Sequence, residues 1–323
     1  THNIFFLLRH SRALKMLKVV FLALVISMQS AQGKYLDMTW VMDMDHISYF
    51  PLFGSDEYRF QYHLGFQGLV NNEFFIAYNR YSTVEHMGTH IDAPYHFDIK
   101  GLTLDRIPLD DLHGPLVKID ITQKAKRDSD AVITVQDLLD WEEKYGRIPD
   151  GAIILMMSGW EKFYGDNLKY VGTNDVNGEA HSPGFAEETA VWLRDNRKIK
   201  GLAADTLNCD AGNAGVVSQQ YTFPVHEILL PTGVICIENV RNVKKVPECG
   251  AHIFAFPILL KNSTGGQARV FSEWTDGEGY MTDCKGTLAM AQASALTAEN
   301  ESAGFTPSYF ILLAFLMVAK LFK

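Results

Sequence analysis

The run His86-Met87-Gly88-Thr89-His90-Ile91-Asp92-Ala93-Pro94-Tyr95-His96-Phe97 constrains this chain more than any other stretch. Three of the eleven histidines and one aspartate fall within it. Gly88 permits a tight backbone approach and Pro94 breaks an interior helical turn, so His86 and His90 do not read as a helical i, i+4 pair. The stretch reads instead as a turn carrying His86, followed by a short extended run. Side chains alternate between faces along an extended chain. His90, Asp92 and His96, which share parity, are therefore expected to project from one side. Imidazole and carboxylate donors together suit zinc, manganese or iron(II).

The surrounding chain is large enough to support such a site. Its 323 residues are 47% hydrophobic, and no composition break interrupts residues 35–275, which predicts one domain. Net charge is −9 and no basic cluster is denser than Lys124–Arg127, which excludes a nucleic-acid partner. The four cysteines, Cys209, Cys236, Cys249 and Cys284, contain no Cys-x-x-Cys pair, so a cysteine-based zinc site is disfavoured. Cys249 and Cys284 are a candidate disulfide, and Cys236, inside an apolar run, reads as a buried thiol.

In chain order, Leu36–Trp40 reads as a first strand. Met42–Gly68 is rich in aromatics, including Tyr49, Phe50, Phe53, Tyr58, Phe60, Tyr62 and Phe66. They suit either a pocket wall or plain packing. Phe74–Val84 reads as a strand leading into the histidine motif, and Leu116–Ile121 as another. Thr134 opens a helix, with Asp137 completing a capping box, Leu138, Leu139 and Trp141 as apolar positions, and Gly146 as the stop. Ala152–Met157 is continuously apolar, as in a strand buried on both faces. It leads into Ser158-Gly159-Trp160, where Trp160 is either a pocket or a packing residue. Pro183–Arg197 reads as a second helix. Gly201–Asp205, Gly233–Ile237 and Arg269–Phe271 read as strands, and His252 as a strand residue outside the site. There is no internal repeat and no Gly-rich phosphate loop.

The pattern His-x-Gly-Thr-His-x-Asp-x-Pro-x-His-Phe at His86–Phe97 resembles the signature of the cyclase family, which includes the bacterial-type kynurenine formamidases and isatin hydrolases. The general likeness runs from about Tyr35 to Trp274. It implies an α/β fold: a single swivelling β/β/α-like domain with a mixed central sheet flanked by helices. It implies metal ligation by His86, His90 and Asp92, completed by His226 and Glu238, which match the family's later His and Glu in order and local context. Zinc or manganese would be held, as one or two ions per subunit, with Asp92 as the bridge. His96 is implied to be the general acid/base, moving a proton from water to the leaving nitrogen. Asp205 resembles the family's acidic residue at a strand end; it either orients a ligating histidine or caps a turn. The first substrate implied is N-formyl-L-kynurenine, hydrolysed to L-kynurenine and formate. A cyclic amide, as in isatin hydrolases, or a lactone would use the same apparatus. Family members also suggest a homo-oligomer.

The ends read differently. Residues 1–33 are expected to be a leader, with Lys18 as n-region and Val19–Met28 as h-region of a signal peptide. Residues 34–275 form the expected hydrolase domain and 276–308 a small, polar linker. The hydrophobic tail 309–323 suits a GPI-attachment signal, a short membrane anchor or a packed helix. Sequons at Asn262-Ser263-Thr264 and Asn300-Glu301-Ser302 agree with secretion to the cell exterior or surface. Readings from other classes are a non-catalytic, metal-stabilised secreted binding protein and a membrane-anchored receptor ectodomain.

Overall fold

Ile153–Met157 is apolar at every position and wholly buried, and it lies near the middle of the principal sheet. Such a run has no polar face to give to water, so it pairs on both edges and is covered on both faces. The computed structural model describes residues 33–49, 59–173, 178–215 and 222–275, all within one compact unit. Residues 1–32 of the expected leader, the linker and the hydrophobic tail, together with Phe50, Phe53, Tyr58, Cys284 and Asn300, lie outside the described residues, whereas Gly33, expected as the leader's last residue, opens the first strand opposite Thr275. Among the described residues no helix is long and apolar enough to cross a membrane.

The strands are β1 (Gly33–Asp37), β2 (Gln61–Val70), β3 (Phe74–Ser82), β4 (His90–Asp92), β5 (His113–Asp120), β6 (Val132–Ile133), β7 (Ile153–Met157), β8 (Gly184–Phe185), β9 (Gly201–Ala204), β10 (Ile235–Glu238), β11 (His252–Pro257) and β12 (Gly265–Thr275). The helices are α1 (Thr122–Ala125), α2 (Val135–Tyr145), α3 (Asn167–Val171), α4 (Glu187–Asn196) and α5 (Pro224–Leu229). The principal sheet has the order β1-β12-β11-β5-β7-β9-β10-β4, and β4 also pairs with β12. The mixed sheet foreseen from the sequence therefore closes on itself, with β1 outside the ring. Neighbours from β5 through β7 and β9 to β10 are parallel; the remaining pairings are antiparallel.

Closure sorts side chains by parity. Ile91, Ile153, Leu155, Ile235, Ile237, Ile253 and Val270 share one buried core cluster. His90 and Asp92, alternating with Ile91, take the other face of β4, where Glu238 of β10 stands opposite His90. The candidate site thus sits on the ring's outer face, beneath α5.

Local elements follow the expected chemistry with informative exceptions. Thr134 and Asp137 form the capping box of α2, and the helix stops at left-handed Gly146. The second long helix starts at Glu187 rather than Pro183 because Gly184 and Phe185 pair with Val132 and Ile133. Phe74–Ser82 is a strand but not part of the principal sheet: β2 and β3 make a separate ribbon. Left-handed Asn71 and Asn72 turn it, a conformation Asn tolerates and hairpin twist favours. Tyr62 and Phe66 are exposed on that ribbon, whereas Phe60 packs with Ile47 and Met87.

Candidate metal centre

The turn before β4 is fixed by backbone geometry. Gly88 has φ +66°, and a Cβ there would come within 2.5 Å of Met42 Sδ. The Thr89 hydroxyl donates to Asn239 O (2.7 Å) and accepts from Trp40 N (2.9 Å), tying the turn to the end of β10. Gly265 pairs opposite Asp92, and a Cβ there would meet His86 Cε1 at 2.6 Å. Only a residue without a side chain lets the His86 ring lie across β12.

His90, Asp92 and Glu238 converge as the sheet register dictates. His90 Nε2 lies 3.2 Å from Asp92 Oδ1 and 3.5 Å from Glu238 Oε2. His226 on α5 adds Nε2 at 3.1 Å from Asp92 Oδ2 and 3.3 Å from Glu238 Oε1. His86 Nδ1 lies 2.6 Å from Asp92 Oδ1. His96 reaches the cluster by a different route from the one its parity suggests. The extended run ends at Asp92, and a 3-10 turn over Pro94–His96 brings the ring back. There it stacks on His86, centroids 3.9 Å apart. All six predicted site residues are therefore gathered. Donor atoms of five of them form two groups, His86-Asp92-His96 and His90-Asp92-Glu238, that share Asp92, and His226 Nε2 stands beside Asp92 and Glu238.

Three further residues set which imidazole nitrogen faces the cluster, and sequence reading gave none of them this role. Asp210 accepts a 2.6 Å bond from His226 Nδ1, which leaves Nε2 toward Asp92. The Thr264 hydroxyl donates to Glu85 (2.6 Å) and accepts from His86 Nε2 (2.8 Å), which leaves Nδ1 toward Asp92. His90 Nδ1 donates to Gly88 O (2.9 Å), and its buried Nε2 has no hydrogen-bond partner. These bonds orient the rings so that His86 Nδ1, His90 Nε2 and His226 Nε2 point into the cluster, the orientation a metal ligand needs. Thr264 had signalled only as the last residue of a sequon; its hydroxyl is spoken for by the site.

Asp205, in contrast, touches no histidine. It accepts from Ser158 N and Oγ, Gly159 N and Trp160 N, so it caps the turn after β7. Trp160 packs with Tyr170, Val171 and Leu207. His252 lies away from the site and bonds His113. Cys236 is a buried thiol, opposite Asp92 in the sheet.

The electrostatics fit a cation. Asp92, Asp210 and Glu238 are all buried, and among the described residues their ion-pair partners are imidazoles, with no lysine or arginine. Unpaired buried carboxylates are costly, so this donor set calls for positive charge. Burial disfavours the charged form of His90, yet hydrogen bonding and attraction from Asp92, with Glu238, push it up to about 9. Burial likewise opposes the Asp92 charge, but the three imidazoles around it hold the carboxyl well below its usual range. Surrounding protein lowers His96 to about 4, Asp92 opposing and the other imidazoles reinforcing, although the ring stays accessible from a cavity. That cavity, about 240 Å³, is walled by Phe97, Leu207, Asn208 and Phe223 above the cluster. The residues present fit one or two divalent ions, with Asp92 common to both groups.

A cyclase family model matches residues 19–211, more than half of the chain. The chain belongs to the cyclase family. Isatin hydrolase of Roseibium aggregatum is 29% identical over 202 residues, 61% of this chain and 75% of that one. Cyclase-like protein 1 of Oryza sativa subsp. japonica is 29% identical over 188 residues, 57% of this chain and 60% of that one. Isatin hydrolase A from Ralstonia solanacearum superposes with a TM-score of 0.68 at 26% identity, covering 79% of this chain and 97% of that one. An isatin hydrolase bound to the product analogue thioisatinate gives the same TM-score and identity, over 80% and 99%. This member of the cyclase family is thus a metal-dependent hydrolase of isatin hydrolase-like structure. The family match contains His86, His90, Asp92 and His96; His226 and Glu238 lie beyond it and join the site through the fold.

Proposed function

We propose that the chain opens the carbonyl–nitrogen bond of a small, uncharged, ring-closed aromatic amide of the isatin type. The carrying observation is the cavity: two phenylalanines and a leucine above an imidazole–carboxylate floor, with no lysine or arginine among its described lining residues. Phe97 and Phe223 meet edge to face, centroids 5.7 Å apart, which gives a flat ring an aromatic wall.

His86, His90, Asp92, His226 and Glu238 would hold one or two divalent ions, which would supply Lewis acidity toward a carbonyl and, were the ion zinc, a bound water with a pKa lowered from roughly 15.7 to about 7. The chain's own residues do the rest. The apolar walls orient the ring and exclude bulk water. His96, neutral at pH 7, takes the proton of the attacking water and returns it to the ring nitrogen as the carbon–nitrogen bond breaks. The product is an aromatic amine and a carboxylate on one molecule. Asp210 and the Glu85–Thr264 pair keep His226 and His86 in the tautomers that serve the site.

N-formyl-L-kynurenine is the second reading, supported by the same aromatic walls. It carries an α-carboxylate, and no described lining residue offers that carboxylate a lysine or arginine, which ranks it below the uncharged ring. The test is turnover of isatin, an N-formyl aryl amine and N-formyl-L-kynurenine, with and without chelator. Isatin opening should exceed formylkynurenine hydrolysis by about 100-fold in kcat/KM, as expected when a charged group goes unpaired. Chelator should abolish it, and zinc or manganese should restore it. The reverse order would move the assignment to an arylformamidase. Turnover of no amide, with metal bound, would favour the binding-protein reading.

A further inference from the structure

Apart from the imidazoles and carboxylates of the cluster, the cavity is walled by Phe97, Leu207, Phe223 and Asn208. The first three present hydrocarbon. Asn208 is the exception, and the ring-opening chemistry leaves it without a role. It stands half-buried in the turn that follows β9. The Thr206 hydroxyl donates to its backbone oxygen (2.8 Å), and Asp210 N donates to its Oδ1 (2.8 Å). A bond from the backbone two residues on to an Asn side chain is ordinary turn chemistry. It accounts for the amide oxygen and leaves the nitrogen over. A backbone N–H can only donate, so the amide oxygen faces Asp210 and the NH₂ group is turned away from it. Among the described residues that NH₂ group has no hydrogen-bond partner, and Asn208 borders the cavity. Asp210 also holds the His226 ring, so the amide is anchored to the frame of the metal cluster. A fixed donor in an otherwise apolar wall is the kind of group that orients a ligand in a small-molecule pocket.

We propose that Asn208 determines specificity: its side-chain NH₂ donates a hydrogen bond to a ketone oxygen beside the scissile carbonyl, so the site selects ring-closed α-ketoamides over plain lactams. This assignment rests on the ring-opening reading and narrows its substrate class. An isatin-type ring carries two adjacent carbonyls, and only the amide carbonyl is attacked. The cluster and His96 are committed to that carbonyl, the attacking water and the ring nitrogen. The ketone oxygen enters the same apolar cavity and gives up its bonds to water. A buried acceptor without a partner costs more than a made bond returns, so the site must offer it a donor or reject it. No lysine or arginine stands among the described lining residues, and Asn208 is the one described lining side chain outside the cluster that can donate. A lactam lacking the ketone would leave the NH₂ group facing hydrocarbon, unpaired. Opening breaks the amide bond and leaves the ketone beside the new carboxylate. The hydrogen bond is therefore made before and during the attack alike, and it acts on KM rather than kcat.

Steady-state opening of isatin by the metal-loaded full chain tests this, with oxindole, the same ring without the ketone, as competing inhibitor. Asn208→Leu keeps a similar volume and has no donor. Asn208→Ser keeps a hydroxyl for Asp210 N to donate to, on a shorter side chain. Both variants should raise KM for isatin about 10-fold, the cost of leaving one buried acceptor unpaired, with kcat and chelator-measured metal affinity within about twofold of wild type. The inhibition constant of oxindole should stay unchanged in both, or fall in Asn208→Leu. An unchanged KM for isatin in both variants would overturn the proposal. So would an equal loss for isatin and oxindole, or a fall in kcat together with metal affinity, since each marks a turn that holds Asp210 rather than a donor to substrate. Failure of the wild type to open isatin is a separate result and sinks the ring-opening reading. Calorimetric binding of isatin then decides the role of Asn208. Binding about 10-fold weaker in both variants would uphold the donor; absent binding, or equal binding by all three proteins, would overturn it.

Discussion

Two groups of histidines in this molecule look alike by proximity and differ in kind. On the ring between β5 and β11, His113 Nδ1 and His252 Nε2 are 2.8 Å apart, beside Phe254. The carboxylate paired with His113 is Asp110, at 3.9 Å and almost fully exposed. Burial, then repulsion by His113 and Lys200, drops His252 to about 4. At β4 the imidazoles surround buried Asp92 and Glu238, and His90 rises to about 9 although it is more deeply buried. His252, in an apolar wall, is held neutral and hydrogen-bonds the neighbouring imidazole. The same rings around buried carboxylates form a site that demands a cation, and proton and metal compete for the same lone pairs. Carboxylates and fixed tautomers, rather than histidine density, distinguish the metal centre.

That contrast breaks most visibly at Asp92, the residue both donor groups share. Asp92→Asn should remove stoichiometric metal and bring turnover to background, read by elemental analysis and the isatin assay; retained metal would end the two-group description. His96→Gln comes next: kcat should fall about 10²–10⁴-fold, the range of general acid–base catalysis. Metal content should hold at the site formed by His90, Asp92 and Glu238; full activity would remove His96 from its assigned role. Asp210→Asn should weaken metal affinity by about 10–100-fold through its bonds to the His226 ring and to the first turn of α5. Competition against a chelator of known affinity measures it. The smallest effect belongs to the other cluster. His252→Phe should leave metal content and kcat unchanged. A folded-state value depressed below 6.5 means that the unfolded chain binds the extra proton. Wild type therefore loses stability as pH falls from 6.5 toward 4, and the variant should lose less. Thermal midpoints at pH 7 and pH 4.5 compare them, and a loss of metal in His252→Phe would erase the distinction between the clusters.

The site was legible where its logic is local. Parity along an extended run put His90 and Asp92 on one face, and β4 keeps that parity. Parity failed for His96 because Pro94 starts a 3-10 turn two residues past the strand. The capping box at Thr134 and the all-apolar β7 were readable for the same local reason. Asp210, Glu85 and Thr264 were not assigned to the site. Each is a single residue, with no periodic neighbour to mark it. Thr264 reaches His86 across 178 positions. Asp205, the acidic residue a strand end made conspicuous, turned out to serve its own turn. The ribbon's second strand was readable as a strand, but alternation cannot say that apolar side chains stand exposed on both of its faces.

The sequence by itself determined where the local candidate donors His86, His90 and Asp92 lie and most of the elements around them, because ligand type, side-chain alternation, caps and turns act over a few residues. His226 and Glu238 entered only through the family resemblance. Tertiary structure decided which strands flank β4, which nitrogen each histidine turns inward, and which acidic residue stands behind His226. Those outcomes depend on register between segments far apart in the chain. There a one-residue slip would carry His90 and Asp92 to the buried face of the ring and leave Ile91 in their place.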